Sequence, residues 1–125
     1  NDKGMKHPIY KNKKTKFNSP AFNFDEVVTL PPNSVCLASN KINKVQSLYF
    51  SVRDTKIWGL QYHPEITYEK MINLIEFRKD KLIENRKVFK NEKEVFDQIK
   101  FIREEITVSN RAQRMVELKN WLDNI

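Results

Sequence analysis

Short apolar stretches that are separated by turns of a few residues constrain the fold of this chain most strongly. The stretches lie at residues 35–39, 45–52 and 57–62. The polar segments Asn40–Lys44 and Arg53–Lys56 lie between them, and Pro31–Ser34 is a strong turn signal before the first. Connections this short join antiparallel neighbours, because a parallel crossover needs a much longer connection. We therefore predict a small antiparallel sheet, with an extended segment at 20–24 upstream of it.

The hydrophobic period changes to a helical one after Glu65. Thr67 can cap a helix that runs to about residue 84, and a second amphipathic helix is predicted from Glu92 to Glu105. Ser109 can cap a third helix, which follows a short connection. The apolar face of that third helix is expected to carry Ala112, Met115, Val116, Leu118, Trp121 and Leu122. Strands followed by about three helices, without an internal repeat, indicate an α/β or α+β fold.

The charged residues favour a solvated surface over a nucleic-acid interface. The net charge of the 125 residues is +7, and 31% of them are charged. The basic residues are scattered over the chain, and many lysines lie beside Glu or Asp in the helical segments. We expect the lysine-rich segment 11–16 to be a solvated loop, preceded by one helical turn around Pro8. No specific nucleic-acid partner is predicted.

Several classes of site are unlikely on composition alone. One cysteine, Cys36, excludes a disulfide within the chain and is typical of a reducing compartment. Two glycines cannot build a glycine-rich phosphate loop, and two histidines with one distant cysteine do not form a zinc motif. We therefore predict no cofactor and no metal. No apolar run approaches a membrane span, so a cytoplasmic protein without a membrane partner is expected.

The stretch from Ile57 to Glu65 carries the candidate catalytic pair. Residues 57–62 have no charge and are expected to form a buried strand, which His63, Pro64 and Glu65 follow. Side chains alternate along an extended chain, so His63 and Glu65 should point to the same side. Pro64 restricts the backbone between them. A carboxylate so placed can hold the tautomer of a histidine that acts as a general base, although a strand ending in two solvated polar residues has the same pattern.

Four ordered blocks of the sequence resemble the class I glutamine amidotransferases, the triad glutaminases of the GMP-synthase type. Residues 58–65, Trp-Gly-Leu-Gln-Tyr-His-Pro-Glu, are similar to the family's Gly-Val-Gln-Phe/Tyr-His-Pro-Glu block. The other three blocks are Asp25–Val27 with Leu30–Pro31, Leu37–Asn40 and Val45–Ser47. The tail Glu117–Leu122 is similar to that of stand-alone bacterial members. The resemblance covers about residues 5–70 closely and the helical tail more loosely.

The resemblance implies a Cys-His-Glu triad that hydrolyses glutamine to glutamate and ammonia for transfer to an acceptor. In such enzymes the cysteine attacks the amide carbon, the histidine accepts the thiol proton and the glutamate orients the histidine. His63 is then the base and Glu65 its orienter. The implied partners are glutamine and a synthetase that supplies the acceptor substrate. The implied fold is the C-terminal half of the family's mixed sheet, followed by the helices.

Two departures from the family pattern qualify this interpretation. The family's nucleophile lies in a Gly-x-Cys-x-Gly elbow, whereas Cys36 lies in an alternating strand without glycine, so we assign it to the core. Asn23 stands where the family often has a histidine, and it cannot titrate. We expect an N-terminal half with the nucleophilic cysteine to be missing, and the 125 residues alone to be inactive. Residues 1–84 would belong to the amidotransferase-like domain and residues 85–125 would be a helical extension.

Two alternatives to a glutaminase stay open at this point. The chain could be a catalytically inactive amidotransferase-like binding or assembly module, in which the triad no longer works. It could also be a basic protein that binds nucleic acid through charge alone. A glycine-flanked cysteine in the complete gene would favour the enzyme over the module.

Overall fold

Three strands form one antiparallel sheet in the computed structural model, which describes residues 1–125. Strand β1 is Val35–Ala38, β2 is Ser47–Val52 and β3 is Thr55–Leu60, in the spatial order β1-β2-β3. Tyr49 on β2 is opposite Val35 on one side and Trp58 on the other. The α/β class and the antiparallel sheet expected from the short turns are therefore confirmed.

The predicted strand before His63 is shorter and less buried than expected. Strand β3 ends at Leu60 rather than at Tyr62, and it pairs only with β2, so it is an edge strand and not a central one. Its last four residues, 57–60, are half-buried rather than buried. The chain leaves the ladder at Gln61, whose amide still reaches the carbonyl of Gln46 at 2.8 Å.

The segment before the sheet contains more regular structure than the sequence indicates. Helix α1 runs from Asp2 to Lys6, and the side chain of Asn1 caps it by accepting a hydrogen bond from the amide of Gly4 at 2.8 Å. The helical turn expected around Pro8 is present as a 3₁₀ turn, Pro8–Tyr10. Residues 17–34 contain no helix or strand, so the extended segment expected at 20–24 does not join the sheet.

Helices follow the sheet, and two of the predicted helices are interrupted. The helix expected to reach residue 84 divides at Arg78 into α2, Tyr68–Phe77, and α3, Lys79–Glu84. Thr67 caps α2 as expected, since its hydroxyl accepts from the amide of Lys70 at 3.1 Å. Helix α4 runs from Glu92 to Val108 and ends at Ser109, which was expected to begin the next helix. No helix combines the length and apolarity that crossing a bilayer requires.

The predicted third helix is also divided. Helix α5 is Arg111–Arg114 and α6 is Val116–Leu122, with Met115 between them in a non-helical conformation. Trp121 and Leu122, which were expected in the core, are 46% and 61% exposed. The buried side chains of α6 are instead polar, as described with the site below.

The chain divides into two compact units. The first comprises residues 1–65 and 111–125, and the second comprises residues 66–110. The core of the first contains Ile9, Tyr10, Leu37 and Tyr62. The second unit packs α2 and α3 against α4, and its buried residues include Tyr68, Ile72, Ile75, Val95, Ile99 and Ile102. The assignment of residues 1–84 and 85–125 to a domain and its extension stays a prediction.

Gly4 is where α1 lies against the sheet most closely. It is buried, and a Cβ added there would overlap the carbonyl oxygen of Leu37 on β1. A Cβ on Gly59 would instead lie 3.4 Å from the Leu48 side chain, which is close to ordinary contact. Helix α1 therefore depends on glycine for its approach to β1.

We predict that Gly4→Ala lowers the free energy of unfolding by about 1–3 kcal/mol, the usual cost of overpacking, despite the higher helix propensity of alanine. Gly59→Ala is the matched control and should change it much less. Urea denaturation followed by circular dichroism measures both. A Gly4→Ala variant as stable as the parent chain would show that α1 does not pack on β1 in this way.

Candidate functional site

The structure brings the two predicted catalytic side chains together. His63 and Glu65 lie just beyond β3, and the Nδ1 atom of His63 is 2.8 Å from Oε1 of Glu65. Both side chains are partly exposed, at 42% and 53%. Pro64 between them is fully buried, so the backbone of the pair is anchored while the side chains reach solvent. The two side chains lie on the same side, as expected, although Pro64 and Glu65 form a turn rather than an extended strand.

The charge on Glu65 sets the tautomer of His63. Burial acts to raise the pKa of Glu65, but the hydrogen bonds from His63 and from its own backbone, together with the electrostatic attraction of His63 and Arg114, outweigh burial and lower it. An ionised carboxylate only accepts hydrogen bonds, so Nδ1 of His63 carries the proton of the shared bond. In the neutral ring Nε2 then has the lone pair, which is the arrangement a general base needs.

Backbone hydrogen bonds outside the sheet fix the course of the segment 61–65. The amide of His63 donates to the carbonyl of Pro20 at 2.7 Å. The Nδ2 group of Asn23 donates to Oε1 of Gln61 at 3.2 Å. Asn23, at the position often occupied by histidine in the resembling family, therefore braces the residue that leaves β3. The side chain of Asn23 thus has a structural contact, which is with Gln61 rather than with His63.

A buried carboxylate on α6 holds the residue next to His63. Glu117 is 1% exposed, and its Oε1 accepts from the hydroxyl of Tyr62 at 2.7 Å. Its Oε2 accepts from Nζ of Lys13 at 2.9 Å. The hydroxyls of Tyr10 and Tyr62 are 2.9 Å apart, so Tyr10 donates to Tyr62 while Tyr62 donates to Glu117. Both carboxylate oxygens of this buried group are therefore satisfied, as its burial requires.

Burial shifts the pKa values of the groups around Glu117. It is the largest cause of the raised pKa of Tyr62, and Tyr10 and Glu117 act in the same direction. Tyr62 therefore stays protonated and remains a donor. Burial also lowers the pKa of Lys13, while the hydrogen bond and charge of Glu117 oppose that change. The ammonium group also lies 4.3 Å from the ring centre of Phe17.

Two further side chains of the C-terminal segment bind other parts of the first unit. Nη1 of Arg114 donates to the carbonyl of Pro64, between His63 and Glu65, at 2.6 Å. Nδ2 of Asn120 donates to the carbonyls of Ile9 and Lys11 at 2.8 and 2.9 Å. Asn120 is 8% exposed, so α6 presents a polar face to the 3₁₀ turn. The fully buried side chains of this helix are therefore polar, whereas Met115, Val116 and Leu118 of the predicted apolar face are only half-buried.

The sequence pattern did not predict this polar cluster, which comprises Lys13, Tyr62, Arg114, Glu117 and Asn120. The segment 11–16 is an exposed loop, as predicted, except at Lys13, whose side chain is only 4% exposed. One signal could have been used: Glu117 and Asn120 are three residues apart, so they share a helix face. The similar tail block includes both residues, but it does not show which face of the helix is buried.

Cys36 lies on β1, as expected, and is partly exposed rather than buried in the core. Its Sγ is 3.4 Å from the carbonyl oxygen of Ala38 and 3.5 Å from that of Lys44. Its contacts are thus with backbone carbonyls, and no acid or base partner that would activate a thiol is among them. The structure contains no cluster of three or more side chains that could hold a metal ion.

Two cavities of the first unit are lined in part by the polar cluster, by Tyr62 in one and by Lys13 in the other. They have volumes of about 250 and 390 Å³, and both are lined by Asn1, Thr15, Phe17 and Ala38. Tyr62 lines the smaller cavity, whereas His63 and Glu65 line neither. The predicted catalytic pair is therefore exposed on a surface and is not at the bottom of either cavity.

We predict that Glu117→Gln destabilises the chain by roughly 3–5 kcal/mol, because it leaves the ammonium of Lys13 buried without a counter-charge. Asp123→Asn is the control, since Asp123 pairs with Lys119 in an exposed ion pair on the same helix. Asp123→Asn should lower the free energy of unfolding by at most about 1 kcal/mol. Urea denaturation of both variants measures the difference. Equal effects would show that the Lys13–Glu117 pair is not buried in solution.

The sequence is similar to that of one characterised hydrolase. A γ-glutamyl-L-1-hydroxyisopropylamide hydrolase from a Pseudomonas species is 24% identical over 137 aligned positions, which cover 98% of this chain and 46% of the relative. The chain spans about half the length of this curated relative. No family model matches the sequence. No solved structure matches it either.

Proposed function

We propose that this chain supplies His63 and Glu65 to a Cys-His-Glu amidohydrolase of the class I glutamine amidotransferase type. The substrate would be a γ-glutamyl amide, with glutamine as the simplest example. The nucleophilic cysteine would come from a segment outside these 125 residues. Cys36 is not proposed for that role, because its sulfur contacts backbone carbonyls on β1. A GMP-synthase-like partner that accepts the ammonia belongs to the same proposal, as does a reducing, cytoplasmic setting.

The proposed reaction divides one amide cleavage between two half-reactions. Nε2 of His63 takes the thiol proton, the thiolate adds to the γ-carbonyl carbon, and a tetrahedral oxyanion forms. The C–N bond then breaks, and the proton from His63 goes to the departing nitrogen, leaving a γ-glutamyl thioester. Water attacks the thioester while His63 takes its proton, so glutamate and the free thiol are released. Glu65 stabilises the imidazolium during both half-reactions.

The observation that carries this proposal is the hydrogen bond between Nδ1 of His63 and Oε1 of Glu65 at 2.8 Å. It fixes the tautomer that makes Nε2 the base, and the partial exposure of the ring leaves that nitrogen accessible to a second segment. The similarity to a γ-glutamyl amide hydrolase supports the reaction class. The four similar sequence blocks support the triad type.

The test uses the complete gene product, including the cysteine-bearing segment. His63→Ala should lower kcat for glutamine hydrolysis by about two to four powers of ten, since the thiol loses its proton acceptor. Glu65→Gln should also lower kcat, because it removes the charge that stabilises the imidazolium. KM should change little in both variants. Glu69→Gln, an exposed neighbour, is the matched control for Glu65→Gln and should leave kcat unchanged.

Ammonia release measured with glutamate dehydrogenase gives both constants. Nearly full kcat in the His63→Ala variant would refute the proposed triad. The inactive assembly module would then be the better description. The 125 residues alone should release no ammonia from glutamine, and turnover that Cys36→Ser abolishes would show that Cys36 is the nucleophile.

A further inference from the structure

We infer that Arg114 and Glu117, in the C-terminal helical segment, are positioning residues for the His63–Glu65 pair. Neither side chain contacts the reacting atoms in the proposed reaction. Each acts through a residue adjacent to His63. The catalytic consequence rests on the proposed function, whereas the structural claim does not. The geometry supports it in three steps.

The first step is that the sheet does not hold the pair. Strand β3 ends at Leu60, and the last ladder-like bond beyond it joins the amide of Gln61 to Gln46. From there the segment depends on separate contacts, one of which is the bond from the amide of His63 to Pro20. That bond fixes the backbone before the proline but not the backbone after it. The buried ring of Pro64 anchors the proline itself, and the peptide that leads from it into Glu65 is held by the hydrogen-bond partner of the Pro64 carbonyl.

The second step is that Arg114 supplies this restraint. Its guanidinium donates to the carbonyl of Pro64 at 2.6 Å, at the peptide that leads into Glu65. The same cation contributes to the lowered pKa of Glu65, after the contributions of the backbone and of His63. Arg114 thus fixes the peptide beside the carboxylate and also favours its charged form. A guanidinium suits this double role, because it stays charged and has several donors in one plane.

The third step concerns Glu117, which acts on the other side of His63. It accepts from the hydroxyl of Tyr62, the residue immediately before His63, at 2.7 Å. Lys13 holds its second oxygen, so the carboxylate cannot rotate without breaking a buried bond. Tyr62 is 6% exposed and belongs to the core of this unit. The residues on both sides of His63 are thus anchored to one short stretch of chain, residues 114–117.

Nuclear magnetic resonance of the full 125-residue chain tests the structural claim without any activity. The only two histidines are His63 and His7. The ring centre of His7 lies 4.9 Å from that of Tyr49 and 5.1 Å from that of Trp58, so the His7 signals report on the fold. In Arg114→Met, the ring nitrogen signals of His63 should move away from the Nδ1-protonated tautomer. The pKa of Glu65, followed by its carboxyl carbon, should rise, while the His7 signals stay unchanged.

Two variants serve as controls for this experiment. Arg111→Met removes the same charge from the exposed start of α5 and should leave both the His63 and the Glu65 signals in place. Arg114→Lys keeps a cation and a donor, so it should restore most of the parent signals. Unchanged His63 and Glu65 signals in Arg114→Met would overturn the inference for Arg114. Equal changes of these signals in Arg111→Met would show that they respond only to the net charge of the chain. That result would also overturn the inference for Arg114.

Tyr62→Phe tests Glu117 without removing the buried carboxylate. It deletes the hydroxyl through which Glu117 reaches the segment before His63, which is also the acceptor of Tyr10, and Glu117 keeps Lys13. The His63 signals should broaden or shift while those of His7 stay in place. His63 signals identical to those of the parent chain would show that Glu117 stabilises the fold but does not position His63.

Kinetics of the complete gene product then test the catalytic consequence. Arg114→Met should lower kcat by up to about a hundred-fold, the cost of a displacement near 1 Å, with KM nearly unchanged and with partial rescue in Arg114→Lys. Full kcat in Arg114→Met would refute a positioning role in catalysis. If the parent protein has no activity, the proposed function fails, and the resonance experiment still decides whether Arg114 positions the pair.

Discussion

The first unit depends on the hydrogen bonds and the ion pair of the buried Glu117 carboxylate. A charge removed from water is tolerated only when its partners compensate the lost solvation, and Glu117 has two: the ammonium of Lys13 and the hydroxyl of Tyr62. Lys13 belongs to the loop after the 3₁₀ turn, and Tyr62 belongs to the core below the sheet. One side chain on α6 therefore joins the beginning, the middle and the end of the chain. Displacing it would leave the buried ammonium of Lys13 with the carbonyl of Gln113 but without its counter-charge.

The features that could be predicted from the sequence are those set by nearby residues. The short turns indicate antiparallel strands, and Thr67 caps α2 through a bond that spans three residues. Lys13 and Glu117 are 104 positions apart, so no local pattern indicates that they meet. The apolar stripe of the third helix was misleading for the same reason. Helical periodicity shows which faces are polar, but the partner decides which face is buried.

The same division between local and distant contacts holds for the candidate site. The contact of His63 with Glu65 follows from two-residue spacing around a proline, and the structure contains it. Its surroundings depend on Arg114, which is 50 positions from Pro64, and on Glu117. The predicted strand before the pair extends too far, because Gln61 and Tyr62 have uncharged, strand-compatible side chains while their backbone bends away from the ladder after Leu60. A local motif thus identifies the candidate pair, and distant residues hold it in place.

The central claim is that Glu117 holds Tyr62, and a double-mutant cycle tests it most directly. Tyr62→Phe, Glu117→Gln and the double variant would be compared with the parent chain by urea denaturation. Contacting residues in one hydrogen-bond network have coupling energies of about 0.5–3 kcal/mol. We predict a coupling of at least about 1 kcal/mol, within that range. Effects that add to within about 0.3 kcal/mol would contradict the account, because independent sites behave in that way.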